Sequence, residues 1–352
     1  MLDLSRILAG PLCTMLLGDL GADVIKVERP GRGDDTRGWG PPFDQRGESA
    51  YFLSCNRNKR SLTAHLADPV DLRLVSELAS AADVVVDNFL PGALARLGLD
   101  ADQMLVQHGH LIWCTIGGFP DQPMRPGYDF AVQAESGWMS VTGEPAGRPL
   151  RTAVALIDVL TGKDAAIAIL AALVGRERRS AVERRLTITL AGTAVAALAN
   201  VAQNALVSGQ EAARWGNAHA NLVPYQLFDT ADRPVVIAVG SDTQWAAFAA
   251  MLGDPALSAD ARLATNAGRV VNRDSCVSAV QKVLLTAGSA EWTGRCQRVG
   301  VPVGEVRTVL EALARVAASP LTGVPSSVGG AVHRPPPLLG EHSAEIRAHG
   351  WG

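Results

Sequence analysis

Short apolar runs alternate with helical patterns along the N-terminal third of the chain. Four runs have the length and the Val/Ile content of buried strands: Met1–Leu4, Asp23–Glu28, Asp83–Asp87 and Leu111–Ile116. The helical patterns Leu12–Leu20 and Leu72–Ala82 lie between the first three of them. Strands that alternate with helices are typical of a parallel sheet with right-handed crossovers. We therefore expect an α/β fold whose larger domain contains a Rossmann-like parallel sheet.

The pattern changes beyond residue 207. It predicts a β-hairpin over Leu227–Val239 with a polar turn at Asp229–Arg233, followed by helices at Thr243–Leu252, Arg269–Leu285 and Ala290–Val299. At 352 residues the chain is long enough for two domains. We expect a large Rossmann-like domain (1–190), a linker helix (191–215), a smaller α+β domain (216–305) and a C-terminal segment (306–352) that returns to the large domain.

The composition is that of an ordinary folded protein. Hydrophobic residues make up 47%, charged residues make up 19%, and the formal net charge is −3. This balance gives no electrostatic basis for binding nucleic acid or an anionic membrane surface. The run Ala191–Leu206 is apolar but contains Asn200, Gln203 and Asn204, which favours a core helix over a membrane span.

The cysteines are widely spaced and give no sign of a metal site. Cys13, Cys55, Cys114, Cys276 and Cys296 include no CxxC pair. Their odd number, together with the absence of a recognisable signal peptide, predicts reduced thiols in a cytoplasmic protein.

Asp158 follows a strand-like stretch and precedes the helical pattern Val159–Val174. In an open α/β sheet, ligands bind outside the carboxyl ends of the strands, where such a junction would lie. A carboxylate there would accept hydrogen bonds from the first helical N–H groups, be ionised, and serve as a nucleophile or a base. From the residues alone, a simple N-cap remains the alternative.

The first helix opens at Leu8–Pro11 without a G-x-G-x-x-G sequence, which argues against a dinucleotide site.

Several longer motifs occur along the chain in a fixed order. They are Leu2–Pro11, Leu17–Arg29, Asn56–Leu62, Asp87–Gly98, Gly127–Gly137, Pro302–Gly304 and Pro335–His342. In this order they resemble the class III CoA-transferase family, which includes formyl-CoA and carnitine CoA-transferases and the α-methylacyl-CoA racemases. The resemblance covers nearly the whole chain. It implies that the large domain binds CoA and that the protein forms an interlocked, ring-like homodimer.

The resemblance implies that Asp158 is the catalytic nucleophile of a CoA-transferase. In this family the aspartate attacks an acyl-CoA to give a mixed anhydride, which CoA thiolate converts to an aspartyl-CoA thioester. A free carboxylic acid then collects the CoA, so acyl-CoA is a substrate and no cofactor is permanently bound. Each step develops an oxyanion that needs hydrogen-bond donors. Gly240 and Ser241 are candidates for this role, and an ordinary turn glycine is the alternative for Gly240.

The resemblance also assigns residues to CoA. Leu8, Ala9, Arg29, Asn88, Phe89, Leu90 and Arg96 fall where family members contact CoA, and Arg125, Tyr128 and Asp129 belong to a loop over the thioester. The planar fork of arginine suits the phosphate oxygens of CoA. Taken alone, Arg29 and Arg96 would more readily be solvated or form surface ion pairs, and the motif context favours the contact with CoA.

Two alternative functions remain open at this stage. The racemase branch has a histidine at the position of Tyr128, and tyrosine is a poor acid/base group near neutral pH, so an acyl-CoA racemase or epimerase is disfavoured. The other alternative is a paralogue that binds acyl-CoA without turning it over. It arises because the loops 117–123 and 180–184 depart from the family pattern.

Overall fold

The computed structural model describes residues 1–315 and 326–352. The described chain divides into two compact units. The first contains Met1–Ser140, Arg151–Ala212 and the described residues from 326 onward. The second contains Val141–Leu150 and 213–315.

The first unit is built on a six-stranded parallel sheet. Its strands are β1 (Leu2–Asp3), β2 (Val24–Glu28), β3 (Lys59–Thr63), β4 (Val84–Asp87), β5 (Ile112–Gly117) and β6 (Arg185–Thr189). All neighbouring strands pair in parallel, in the order β3-β2-β1-β4-β5-β6. This is the strand order of a Rossmann fold, so the predicted α/β class is confirmed. The order reverses between β1 and β4, and loops diverge there to leave a crevice at the carboxyl ends of the strands.

The helices carry local signals that fix where they begin. They are α1 (Ala9–Asp19), α2 (Ala50–Ser54), α3 (Pro69–Ala81), α4 (Ala93–Leu97), α5 (Ala101–Gln107), α6 (Asp129–Glu135), α7 (Trp138–Val141), α8 (Leu156–Val174), α9 (Leu190–Ala196) and α10 (Ala199–Ser208). Asp68 accepts hydrogen bonds from Val70 N and Asp71 N, and Pro69 occupies the first turn, so α3 begins there. Asp100 caps α5 in the same way.

Two apolar cores lie on the two faces of the parallel sheet. Because both faces are covered, the strand residues Val84, Val85 and Val86 are all buried. One of these cores includes residues of α1 and α8, which pack closely together. Their contact depends on Gly162 of α8, where an added Cβ would lie 2.6 Å from the Ala9 carbonyl oxygen.

The second unit has a three-stranded antiparallel sheet. Its strands are β7 (Tyr225–Phe228), β8 (Val235–Ala238) and β9 (Val303–Glu305), and its helices are α11 (Asp242–Leu252), α12 (Pro255–Ser258), α13 (Asn266–Val271), α14 (Arg273–Leu284), α15 (Ser289–Arg298) and α16 (Val309–Leu313). The predicted hairpin is β7–β8. A third apolar core, which includes Trp245, Phe248 and Trp292, joins the helices to the sheet.

The end of the chain packs against β3, an edge strand of the large sheet. His342 N donates to Ser61 O (3.0 Å), and Thr63 N donates to Ser343 Oγ (3.0 Å). The last helix, α17 (Ser343–His349), buries Ile346 in the core. These contacts cover backbone groups that an edge strand would otherwise leave free. Residues 316–325 of the predicted C-terminal segment lie outside the described residues.

Four predictions about the fold differ from the structure. No strand precedes Asp158, because residues 149–155 form loops and α8 begins at Leu156. The predicted helix Arg269–Leu285 is broken at Asn272 into α13 and α14. Residues 141–150, predicted for the large domain, belong to the second unit. The predicted linker 191–215 contains two helices, α9 and α10, and its residues as far as Ala212 belong to the first unit.

The apolar run at 191–206 is not a single core helix. α9 buries Leu190 and Ala194, but no residue of α10 is buried. Among the described residues, no individual helix has the length and apolarity to cross a membrane; only α9 and α10 together, bent by 67°, meet those two criteria.

Replacing Gly162 by alanine should destabilise the first unit. The added Cβ would meet a backbone oxygen, which cannot rotate away as a side chain can, so we expect a loss of about 1–3 kcal/mol in the free energy of unfolding. Denaturant unfolding, followed by tryptophan fluorescence, would measure it. Gly109→Ala is the matched control, because its Cβ would meet no atom within 4 Å, and its effect should stay within about 0.5 kcal/mol. Equal stability of the two variants would contradict the predicted clash.

Candidate active site

A cavity of about 830 Å³ lies at the carboxyl ends of the strands in the first unit. Its walls come from the loop after β1 (6–9), the end of β4 and the loop after it (87–96), the loop after β5 (117–120), residues 123–128, and Asp158. The loops after β1 and β4 meet at the switch point of the sheet, where ligands bind in folds of this type. The volume lies in the range of small-molecule sites.

Asp158 is the third residue of α8 and faces this cavity. The prediction that it caps the helix is wrong: the N-cap position is Ala155, which makes no side-chain hydrogen bond to the helix. Within the first unit, as far as the structure describes it, no group donates a hydrogen bond to the Asp158 carboxyl. Its side chain is half-buried in the cavity wall.

The first turn of α8 is capped from a different helix. Asp129, the first residue of α6, accepts hydrogen bonds on Oδ2 from Ile157 N (2.8 Å) and Asp158 N (3.2 Å). Its other oxygen accepts from Gln133 Nε2 (2.6 Å), and Gln133 Oε1 accepts from Thr152 N (3.0 Å). Asp129 and Gln133 are both buried, so this network is fixed. The helix-capping role that was predicted for Asp158 therefore belongs to Asp129.

The environment of Asp158 disfavours its charged form. Burial, followed by repulsion from the Asp129 carboxylate, raises the pKa of Asp158 from its ordinary value to about 7. A pKa close to neutral differs from the prediction of a fully ionised carboxylate, because the protonated form is then also populated in the ligand-free protein. In this environment the Asp158 carboxyl can change between its protonated and its ionised form near neutral pH.

Two tyrosines mark the surroundings of Asp158. Tyr128 lines the cavity, and 59% of its surface is exposed, so it is not packed in the core. Burial and the nearby Asp158 charge raise the pKa of Tyr51 to about 12. Tyr51 therefore keeps its proton as a hydrogen-bond donor, and its ring makes an edge contact with Trp39 at 5.2 Å between centroids.

Most of the residues that the resemblance assigns to CoA lie around one cavity. Leu8, Ala9, Asn88, Phe89, Leu90, Arg96, Arg125 and Tyr128 all line it. Arg29 instead lines a second cavity of about 340 Å³, and Arg6 and Phe89 line both. Asp129 lines neither cavity; it affects the site through its hydrogen bonds to the first turn of α8.

The arginines around the cavity differ in their ion pairs. Arg29 pairs with Asp35 (2.8 Å), and Arg6 also contacts Asp35 (3.3 Å). Arg125 forms a two-pronged ion pair with Glu135 and stacks over the ring of Phe119 at 4.2 Å. Arg96 has no acidic partner among the residues that the structure describes. Its charge is therefore available to an anionic ligand.

Asn88 has a structural contact that explains its position. Its side chain accepts a hydrogen bond from Arg6 N (3.0 Å) and donates one to Arg6 O (2.7 Å). This pair of bonds ties the loop after β1 to the loop after β4. Asn88 thus shapes the cavity wall through the backbone of Arg6.

Gly240 and Ser241 lie in the second unit, directly before α11. Ser241 Oγ caps the helix by accepting from Gln244 N (3.2 Å), and Gly240 N donates to Gln244 Oε1 (2.9 Å). In this arrangement the Gly240 N–H already has a local partner. Their role toward an oxyanion stays a prediction.

Several residues at the site were missed by sequence reasoning. Gln133 lies four residues after Asp129, a spacing that places both on one helix face, so this pair had a usable signal. Tyr51 and Arg6 had none, because only the fold brings α2 near Asp158 and the loop of Arg6 to the cavity. The buried Asp34, which contacts the loop after β1, was missed for the same reason.

Known proteins with similar sequences match this chain over almost its full length. Residues 1–343 match the family described as CoA-transferase family III. Succinyl-CoA:glutarate CoA-transferase from Mus musculus is 41% identical over 98% of this chain and 84% of its own length. Succinate–glutarate CoA-transferase from Agrobacterium fabrum is 38% identical over 99% of this chain and 93% of its own length.

A solved structure extends the match to the fold. The crystal structure of a CAIB/BAIF family protein from Brucella suis is 37% identical and superposes with a TM-score of 0.84, covering 99% of this chain and 97% of that one. Sequence and fold therefore agree over both units. The chain belongs to the class III CoA-transferases, enzymes that transfer CoA from an acyl-CoA to a carboxylic acid.

Proposed function

We propose that Asp158 carries the transferred group as a covalent intermediate. The observation that supports this most directly is a carboxyl that faces the cavity, is not engaged in capping its own helix, and has a pKa of about 7. A weakly solvated carboxylate is a stronger nucleophile than one stabilised by water or by helix N–H groups.

The proposed route has four steps. The Asp158 carboxylate attacks the thioester carbonyl of the donor, which releases CoA thiolate and leaves a mixed anhydride. The thiolate attacks the Asp158 carbonyl, which releases the donor acid and leaves an aspartyl-CoA thioester. An acceptor carboxylate displaces CoA thiolate to form a second anhydride. The thiolate then attacks the acceptor acyl group, giving the new acyl-CoA and restoring the Asp158 carboxylate.

The two cavities suit the two ends of CoA. The main cavity contains Asp158 together with Leu8 and Ala9, which would lie along the pantetheine arm. The second cavity has the aromatic ring of Phe89 and the guanidinium of Arg29 on its walls, as a base and a phosphate require. Arg96, which lines the main cavity, would bind the phosphates of CoA. Leu90 adds apolar surface to the wall of the same cavity.

The relatives point to the substrates that should be tested first. The mouse enzyme is named for succinyl-CoA and glutarate, and the bacterial one for succinate and glutarate. We infer that this chain also exchanges CoA between dicarboxylic acids. Succinyl-CoA with glutarate is the first pair for an exchange screen.

We also infer that two copies associate. α10 has no buried residue, and 78% of the surface of both Leu206 and Val207 is exposed. On α8, which packs against α9, Ile167 and Val174 are exposed as well. Apolar surface of this kind supports an interface with a second copy, as the family resemblance implies.

The five free, buried cysteines support a reducing, cytoplasmic location.

Asp158→Asn should abolish CoA exchange between succinyl-CoA and glutarate. Asparagine keeps the size of the side chain but cannot form the anhydride, so we expect a loss of at least about a thousandfold in kcat. Borohydride or hydroxylamine added during turnover of the wild type should modify Asp158, as read by peptide mass spectrometry. The matched control is Asp164→Asn on the same helix, where Asp164 accepts from Thr193 Oγ1 and should be dispensable for exchange.

Other outcomes of that experiment would identify another function. Binding of acyl-CoA with no exchange and no adduct would favour the binding paralogue. Deuterium uptake at Cα of a chiral 2-methylacyl-CoA in heavy water, without an acceptor acid, would favour a racemase. Either result would contradict the covalent transfer proposed for Asp158.

The rate of the first step should depend on pH through Asp158. Because its pKa is raised and only the ionised form attacks, kcat/KM for succinyl-CoA should level off above about pH 8 and fall by about tenfold per unit below about pH 6. Initial rates of exchange between about pH 5 and pH 9 would measure this. Asp129→Asn removes a like charge and should move the midpoint to lower pH. A flat profile would contradict the raised pKa, since an ordinary aspartate titrates near pH 4.

Leu206→Lys should weaken self-association. A lysine there places a charge in the proposed apolar interface, so sedimentation or light scattering should show a shift from dimer toward monomer. Val106→Lys on α5 is the matched control, because Val106 is equally exposed (76%) but lies on a different helix. A monomeric wild type, or equal effects of the two substitutions, would contradict the proposed interface.

A further inference from the structure

The loop after β1 has an unfavourable backbone conformation at Ile7. This residue has φ of 74°, in the left-handed region, where a β-branched side chain is strained. Ile7 lies in the wall of the main cavity, between Arg6 and Leu8. A strained residue at a ligand site persists only where its surroundings hold it, so the contacts of Ile7 matter.

Two side chains hold the peptide groups on the N-terminal side of Ile7. The Asp34 carboxylate accepts the Ile7 N–H with both oxygens (3.3 and 3.2 Å). The Asn88 side chain accepts a hydrogen bond from the N–H of Arg6, one residue earlier, and donates one to the Arg6 carbonyl oxygen. The peptide groups before Ile7 are thus fixed from two sides. At Ile7 itself, Asp34 holds the N–H, and the Cys55 thiol donates a longer hydrogen bond to the carbonyl oxygen (3.7 Å).

Asp34 is held in turn by a buried lysine. Lys26 Nζ lies 3.0 Å from Asp34 Oδ2 and donates to Ser5 O (2.8 Å), and neither the Lys26 nor the Asp34 side chain has any exposed surface. Asp34 also accepts hydrogen bonds from Thr36 N and Thr36 Oγ1. Burial alone would raise the pKa of Asp34, but Lys26 and these hydrogen bonds outweigh it and hold the pKa below its usual range.

Other charged groups extend this buried cluster. Lys59 Nζ lies 3.0 Å from Asp3 Oδ2, and Asp3 lies 4.0 Å from Lys26. On the other side, Glu28 accepts from Asp34 N (3.0 Å) and pairs with Arg37. The charges of β1, β2 and β3 named here therefore belong to one buried group of ion pairs and hydrogen bonds beneath the loop.

The loop leads directly into α1, which packs against the helix that carries Asp158. A Cβ on Gly162 would lie 2.6 Å from the carbonyl oxygen of Ala9, the first residue of α1, and Gly162 follows Asp158 by about one turn of α8. A change in the loop at Ile7 would therefore alter the wall facing Asp158. Ala9 and Leu8 are the residues expected along the pantetheine arm.

We propose that Asp34, fixed by Lys26, is a positioning residue that holds the strained Ile7 peptide and so keeps the loop 6–9 shaped for acyl-CoA beside Asp158. Both residues border the second cavity, but neither side chain has exposed surface, so we expect them to act through the loop rather than on the ligand. The proposal rests on the proposed role of the main cavity. It predicts that loss of Asp34 weakens binding of acyl-CoA more than it slows the chemical steps.

Asp34→Ala tests the proposal. It removes the acceptor of the Ile7 N–H, so the residue can relax out of the left-handed region, and KM for succinyl-CoA should rise by about tenfold with a smaller change in kcat. Adding Ile7→Gly should reverse most of the rise, because glycine adopts a positive φ without strain. Ile7→Gly alone gives the baseline for the lost side chain. No rise in KM, or no recovery in the double variant, would overturn the proposal.

Asp19→Ala is the matched control for a buried, ion-paired aspartate. Asp19 is also in the first unit and pairs with Arg57 (2.8 Å), but it lines neither cavity. It should lower the thermal midpoint while leaving KM for succinyl-CoA unchanged. An equal rise in KM in both variants would mean general destabilisation and would overturn the positioning role. Absence of exchange in the wild type would instead count against the proposed function.

A second pair of variants decides the matter if Asp34→Ala does not fold. Ile7→Gly should melt at a higher temperature than Ile7→Ala, because only glycine is free of strain at a positive φ. A higher melting temperature for the alanine variant would overturn the proposal, because residue 7 would then not be held in the left-handed region.

Discussion

The arrangement of the site depends on the hydrogen bonds from the first turn of α8 to Asp129. A helix leaves its first N–H groups without partners, and a carboxylate near them is stabilised by the helix dipole. Here that carboxylate comes from α6, 29 residues earlier in the chain. Asp158 is thereby free to face the cavity. The negative charge of Asp129 also adds to the effect of burial on the pKa of Asp158.

The sequence predicted the large sheet well because most of its strands are continuous apolar runs. β4, with three consecutive valines, and β5 are examples. β3 was missed because Lys59–Thr63 begins with two basic residues, which resemble a surface motif. Lys59 is in fact buried, and its charge is compensated by Asp3 and Asn56. Local pattern cannot reveal such compensation, since the partners come from other strands.

The importance of Asp158 could be predicted from the family motifs, but its environment could not. An aspartate at the start of a helix is normally its cap. Only the three-dimensional structure shows that Asp129 takes this role, with Gln133 and Thr152 completing the network. The change alters the expected charge state: a capping aspartate would be ionised, whereas burial and the Asp129 charge raise the pKa of Asp158 to about 7.

The buried charges beneath the loop after β1 are difficult to explain by stability alone. Taking ions such as Lys26 and Asp34 out of water is costly, and apolar residues of similar size often give an equally stable core. A buried ion pair does, however, fix its members in one geometry, as a patch of apolar side chains cannot. That geometry extends through a hydrogen bond to Ile7, whose backbone needs such support. Asp129 thus fixes the start of α8 and Asp34 holds the loop after β1, and both carboxylates bond to backbone N–H groups of the cavity wall.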